Sequence, residues 1–185
     1  MATFTSTTNG NLADGATYGN TSPGTRGVDF PGDDDVLVVD TGDTVTMNAD
    51  ATIGSLDIKG TLTTDGTART ITLDDGGQGF ICEHRGTITT TINLTINSNF
   101  AGDRLIRLNN GGNGNFNNVS ITLQSATRKL TIGTEAASID GNFTITQGIF
   151  DTDSSNNYAL TVTGATSIGP GSGGADQATL TCNAS

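Results

Sequence analysis

Asp35–Thr72 reads DVLVVDTGDTVTMNADATIGSLDIKGTLTTDGTARTIT. Short apolar alternations (Val36 and Val38, Val45 and Met47, Leu56 and Ile58, Leu62, Ile71 and Leu73) recur along it, with Gly, Asn and Asp in the gaps. Alternation sends one side chain inward for each one outward, the period-2 signature of a half-buried strand. On this reading Val36 and Val38 point inward, and the pattern runs on almost to the last residue. A chain built of short strands and tight turns is a long β-structure. Its repetition predicts a solenoid.

Working outward, Leu94 and Ile96, Ile106 and Leu108, Ile121 and Leu123, Leu130 and Ile132, Phe143 and Ile145, Leu160 and Val162, and Leu180 and Cys182 repeat the motif. Their spacing runs from roughly nine to twenty residues, a real but ragged repeat. No window carries an i, i+3, i+4, i+7 stripe, and Gly133–Ile139 (GTEAASI) is too short to form a helix of consequence. Two β architectures compete. A sandwich or barrel would turn at Asn9-Gly10, Asp14-Gly15, Asp65-Gly66, Asn110-Gly111 and Asp140-Gly141, all plausible hairpin signals. Short strands, the Asn-rich stretch 109–118 and the phrases GTLTTDG, GNFTITQG and ALTVTG favour a parallel β-solenoid. The expected fold is therefore all-β, a single-domain parallel β-solenoid (β-helix) over residues 33–185. Residues 1–32, with weak periodicity, two prolines and Phe4, Tyr18 and Phe30, form an irregular segment for capping or attachment.

Composition narrows the function. The 185 residues are 33% hydrophobic and 15% charged, so one domain with a thin core is expected. Disordered chains are poor in β-branched residues, whereas Thr, Ile and Val dominate these runs. Net charge is −11 with only eight Lys and Arg, which argues against direct nucleic-acid binding. No run reaches the length of a membrane span, and the polar start MATFTSTTNGN is unlike a secretory signal. Such a chain stays where it is made or leaves by a route without a cleaved signal. Cys82 and Cys182 are too few for a disulfide framework, and both read as buried free thiols.

Several constellations invite a chemical reading. Asp40-Thr41-Gly42 is similar to an aspartic-protease turn, but that chemistry needs two carboxylates sharing a proton, and Asp43 would disturb them. Asp33, Asp34 and Asp35, with Asp40 and Asp43, could offer oxygen ligands to Ca²⁺, yet EF-hand spacing is missing and a solvated corner is the better reading. His84, flanked by Glu83 and Arg85, is the only histidine, and a lone histidine makes no zinc site. A glycosidase would need two of Asp74, Asp75, Glu83, Asp103, Glu135, Asp140, Asp151, Asp153 and Asp176 to converge, and only Tyr18 and Tyr158 could stack on sugar among residues of the Trp and Tyr type. No catalytic, cofactor or metal residue is therefore assigned.

Thr-x-Thr recurs at 44/46, 61/63, 70/72, 87/89, 144/146, 161/163 and 179/181, with both hydroxyls outward. Stacked, these would resemble ice-binding ladders, but the ragged spacing argues against one flat array, and Thr is simply a good polar strand former. Asn20, Asn93, Asn118 and Asn142 begin N-x-[ST] triplets, read as incidental.

Over residues 1–73 the chain resembles the start of tailed-phage virion proteins and G8-like β-helix segments. The matching positions are Pro31, Gly32, Asp33, Asp35, Val36, Gly42, Val45, Thr46, Leu56, Ile58, Gly60 and Leu62, while Leu12 and Tyr18 stand where that pattern carries tryptophan. The resemblance implies a non-enzymatic virion structural protein, a capsid decoration, head-fibre or tail-fibre-like element assembled in the host cytoplasm. It implies as partners the chain itself, as a homotrimer or other homo-oligomer, then capsid or tail proteins, and host surface glycans. A bacterial surface adhesin or filament subunit is the second class and a carbohydrate-active solenoid enzyme the third.

Overall fold

The computed structural model describes residues 1–74, 80–89, 91–98, 102–108, 113–133, 135–153, 155–169 and 177–182. The first segment contributes β1 (Thr3–Thr5), β2 (Gly10–Asn11) and a 3-10 turn at Gly15–Tyr18. There follow β3 (Val36–Val39), β4 (Thr44–Met47), β5 (Ala51–Ile53), β6 (Ser55–Ile58), β7 (Thr61–Thr64) and β8 (Arg69–Leu73). The middle holds β9 (Phe80–His84), β10 (Thr87–Ile88), β11 (Ile92–Ser98), β12 (Arg104–Arg107), β13 (Val119–Leu123) and β14 (Lys129–Ile132). Last come β15 (Ala137–Ile139), β16 (Phe143–Asp151), β17 (Leu160–Val162), β18 (Thr166–Ile168) and β19 (Ala178–Thr181). No described helix is long and apolar enough to cross a membrane.

Every pairing between described strands is parallel, so none of the candidate turns among described residues closes a hairpin. The Asn110-Gly111 turn, residues 109–112 of the Asn-rich stretch, Asp75 and Asp176 lie outside the described residues. The largest sheet runs β1-β3-β6-β9-β12-β14-β16-β13-β11-β8-β5, with β18 and β19 also on β16. A second is β10-β7-β4-β2 and a third β15-β17. Strand β16 belongs to both limbs of the large sheet. Its Phe143–Ile145 half pairs with β13 and β18, and its Ile149–Asp151 half with β14 and β19. Gly148, at φ 99°, lies between the halves. The result is all-β, with parallel strands in a curled sheet that forms a half-barrel.

Strands pair with partners well beyond their neighbours in sequence. Leu94 meets Val119, Val119 meets Phe143 and Phe143 meets Thr166, steps of 25, 24 and 23 residues. Elsewhere the step shortens to 17, from Val45 to Leu62, or lengthens to 35, from Gly10 to Val45. We call each such step a tier. The extra residues sit between strands, and register shifts only beside Leu105 and Ile121.

Inward residues stack in files. Leu37, Leu56, Cys82, Ile106 and Ile132 form one, and Val39, Ile58 and His84 another, all fully or almost fully buried. Phe116, Phe143 and Phe150 are the bulkiest of the fully buried side chains, and the last two meet edge to face at 5.1 Å. Each such side chain contributes about 2–3 kcal/mol by leaving water, which lets a core this thin hold. The pairing corrects one expectation: Leu37 and Val39 face the core, whereas Val36 and Val38 lie outside the core cluster on the opposite face of β3.

The first segment joins the same core. Phe4, Leu12 and Tyr18 are buried in it, with Phe4 and Tyr18 edge to face at 5.8 Å. The Tyr18 hydroxyl donates to the Leu12 carbonyl at 3.0 Å, and burial pushes its pKa well up. Asp35 accepts from the Ala2 amide at 2.6 Å and from the Gly32 amide at 3.0 Å, tying the start of the chain to β3. The Arg26 guanidinium donates to the Thr52 carbonyl at 2.7 Å, covering part of the edge of β5.

Cys82 is buried, and desolvation, helped by the Asp57 and Glu83 carboxylates, pushes its thiol pKa up. Cys182 is exposed, contrary to its apolar phase: it follows β19, which among the described residues pairs on one side only, with β16. His84 is fully buried, edge to face with Phe116 at 6.0 Å, and its Nδ1 lies 3.2 Å from the Leu108 carbonyl. Its Nε2 has no hydrogen-bond partner among the described residues. Burial lowers its pKa, while the peptide groups of Leu108 and Gly86 oppose part of that shift. The folded protein therefore binds this proton less readily than the unfolded chain. Stability is complete above the unfolded value of about 6.5 and declines as pH falls towards the folded value, by up to about 1.4 kcal/mol per pH unit. As the chain has one histidine, His84→Leu should flatten the urea-midpoint profile between about pH 6.5 and 5. An unchanged slope would refute this assignment.

Candidate functional site

The outer face of β3, β6 and β9 carries a depression. Leu56 and Ile58 take the inward positions of β6, so Ser55 and Asp57 face out. In register with them stand Val36 and Val38 on one side and Glu83 on the other. Although they face away from the core, Val36 and Val38 are each only 8% exposed and Ser55 only 2%. With Thr3 and Phe80 they line a groove of about 330 Å³. The Ser55 hydroxyl makes no hydrogen bond among the described residues.

The charged wall of the groove is braced. Arg85 donates to both Asp57 oxygens, at 2.9 and 2.7 Å, and lies 3.2 Å from Glu83. Arg107 reaches Glu83 from the other side at 3.2 Å, and Lys59 stands 3.6 Å from Asp57. The same Arg107 guanidinium lies 5.6 Å from the Phe80 ring centre. The far edge of that ring rests over Gly133, where a β-carbon would come within 2.6 Å of it. Two carboxylates and one aromatic ring are thus fixed in place before any ligand arrives.

The other faces are different in kind. Thr52, Thr72, Thr95, Ser120, Thr144 and Ser167 stand in one continuous file across six strands. A second file runs Asn11, Thr46 and Thr63, and the Thr89 hydroxyl donates to that of Thr63 at 2.8 Å. The Ile88 amide donates to the Asn113 carbonyl, and the Phe116–Ile139 bridge sets Asn115 beside Ser138, which pairs with Thr161. The hydroxyls fall in separate files on different sheets rather than in one flat array, and each file is continuous because the irregular lengths fall between strands.

Beside the first file lies an amide ladder. Asp50 accepts from the Thr70 amide at 2.8 Å, Asn118 from the Asn142 amide at 2.9 Å and Asn142 from the Ala165 amide at 2.9 Å. Asn93 accepts three times, from the Asn118 amide at 3.2 Å and from the side chains of Asn117 and Asn118 at 3.0 and 2.9 Å. Three of the four N-x-[ST] triplets among the described residues therefore have a structural cause. The Asn satisfies the next tier's backbone, the residue after it enters the core, and the Thr or Ser faces out. Asn20 is the exception, donating to the Asp29 carbonyl at 3.0 Å.

The remaining candidates are dispersed. Asp40-Thr41-Gly42 forms a corner at which Gly42 has φ 91°, the Asp40 amide donates to Ser6, and the Ser6 hydroxyl donates to Asp43. Asp33 pairs with Arg26, and Asp35 is occupied by backbone amides. Asp103 accepts from the Lys129 amide, Asp140 from Asn115, and Asp151 pairs with Lys129. Asp153 is held below the usual carboxylate range by the Asn156 side chain and the Ser155 amide. No group of three or more His, Cys, Asp or Glu suited to a metal occurs among the described residues. The groove residues Ser55 and Phe80 were missed in sequence. Their signal was the unbroken run Val36–Val39, since a strand covered on both faces loses its alternation.

Comparison with protein-family models, curated protein sequences and solved structures gave no match.

Proposed function

We propose that the chain is a parallel β-solenoid that serves as a non-enzymatic structural protein of a bacteriophage particle. Capsid decoration, head-fibre and tail-fibre-like roles all ask for the same thing, a rigid surface held away from an attachment point. The observation that carries the reading is the register, kept through six strands in the Thr52–Ser167 file. Such a stack resists bending because successive strands are hydrogen-bonded in parallel register. The sequence resemblance over residues 1–73 supplies the phage context. Residues 1–32 serve as the attachment and closing segment, and Val28, at 68% exposure, offers that segment an apolar contact. Homo-oligomers, capsid or tail proteins are the partners this role requires.

An antiserum against the chain tests this directly. Particles purified by density gradient from the source culture should carry the antigen, and immunogold should mark them at one structural position. Antigen confined to the cell envelope would replace this reading with a surface adhesin or filament.

A further inference from the structure

The structure assigns the groove between β3, β6 and β9 as a binding site for a neutral sugar ring of the hexose class. The assignment stands on the groove's own chemistry, and it extends the proposed role by giving the projected surface something to recognise. A groove of about 330 Å³ lies at the lower end of the range for small-ligand sites, enough for one or two sugar rings.

Elimination fixes the chemical class. An anion is disfavoured because Asp57 and Glu83 stand on the wall. A cation gains little, since those carboxylates already face Arg85, Arg107 and Lys59. A purely apolar ligand would cover Val36, Val38 and Phe80 but would strip water from the carboxylates with nothing in return. A sugar ring matches all the elements at once. Its C–H face lies on the two valines and the Phe80 ring, and its hydroxyls donate to free lone pairs of Asp57 and Glu83. The Ser55 hydroxyl, buried and without a partner among the described residues, turns towards the groove and gains one. The ion pairs hold the wall in place, so little ordering is needed on binding.

Saturation-transfer NMR on the full chain, with glucose, galactose, mannose and N-acetylglucosamine as separate probes, tests the site. At least one should receive saturation, with millimolar affinity. Ser55→Ala should weaken it roughly tenfold, the loss of one buried hydrogen bond, while leaving the thermal midpoint unchanged or raised because an unsatisfied buried hydroxyl is gone. Phe80→Ala should abolish the transfer with the circular dichroism spectrum retained. No transfer to any of the four sugars, or equal transfer from wild type and both variants, overturns the assignment. Neither result bears on particle association, which the antiserum reads separately.

Discussion

Gly60→Ala is expected to lower stability by at least ~3 kcal/mol. A β-carbon at Gly60 would stand 2.1 Å from the Asp40 carbonyl oxygen and 2.5 Å from that of Asp43. Both obstacles are backbone, so no side chain can rotate aside. The Gly60 amide also donates to the Val39 carbonyl at 2.9 Å, and its carbonyl accepts from the Thr87 amide at 2.8 Å, which pins the corner from both sides. One tier on, a β-carbon at Gly86 would meet the Gly60 carbonyl at 2.1 Å, so the corner is closed to side chains again. Gly66→Ala supplies the comparison: its φ of 93° carries a strain cost, but nothing lies within 4 Å. That variant should lose about 1–2 kcal/mol. Urea denaturation of the two variants gives the ranking, and equal losses would show that the Gly60 corner yields.

Asn93→Ala should follow, with a loss of roughly 2–3 kcal/mol. Removing this one side-chain oxygen strands the Asn118 amide and the side-chain amides of Asn117 and Asn118 together. A buried donor left without its acceptor costs about 1–3 kcal/mol, and partial exposure to water softens the sum. The thermal midpoint should drop by roughly 5–10 °C for a chain of this size. Asn93→Asp keeps the acceptor and should lose less than the alanine variant. A midpoint within a degree of wild type for Asn93→Ala would mean that water replaces the ladder at no cost.

The strand class, the parallel pairing and most of the core were legible in the sequence, because alternation of Thr with Ile, Leu or Val leaves little freedom over which side faces in. Leu94 and Ile96, Ile121 and Leu123, and Phe143 and Ile145 all take the inward positions their phase predicted. The phase of β3 was not legible. Val36, Leu37, Val38 and Val39 are all apolar, and only pairing to Leu56 and Ile58 decides that Leu37 and Val39 face in. The groove was hidden for the same reason: its floor is made of residues that look like core. Its wall joins Asp57, Glu83 and Arg107, from three separate strands, through pairing steps of 26 and 24 residues. Hydroxyl files were visible as Thr-x-Thr but not as files, since loop length hides register. The asparagine ladder could have been found from Asn93, Asn118 and Asn142, each placed before an apolar residue at intervals of 25 and 24.

The tiered pairing has a consequence for how such a molecule changes length. Leu94 occupies the place opposite Ile71 that Val119 would occupy if one tier were removed. Excising residues 92–116 joins Thr91 to Asn117 and sets Val119 against Ile71, Ser120 against Thr72 and Asn118 against Thr70, which keeps these inward, outward and ladder positions while Asn117 takes the place of buried Ile92. Duplication of the same segment preserves them equally. The sheet can therefore be edited in whole units, each removing or adding about 4.8 Å across its strands, and a deletion leaves the Ile92 position to be refilled by an apolar residue.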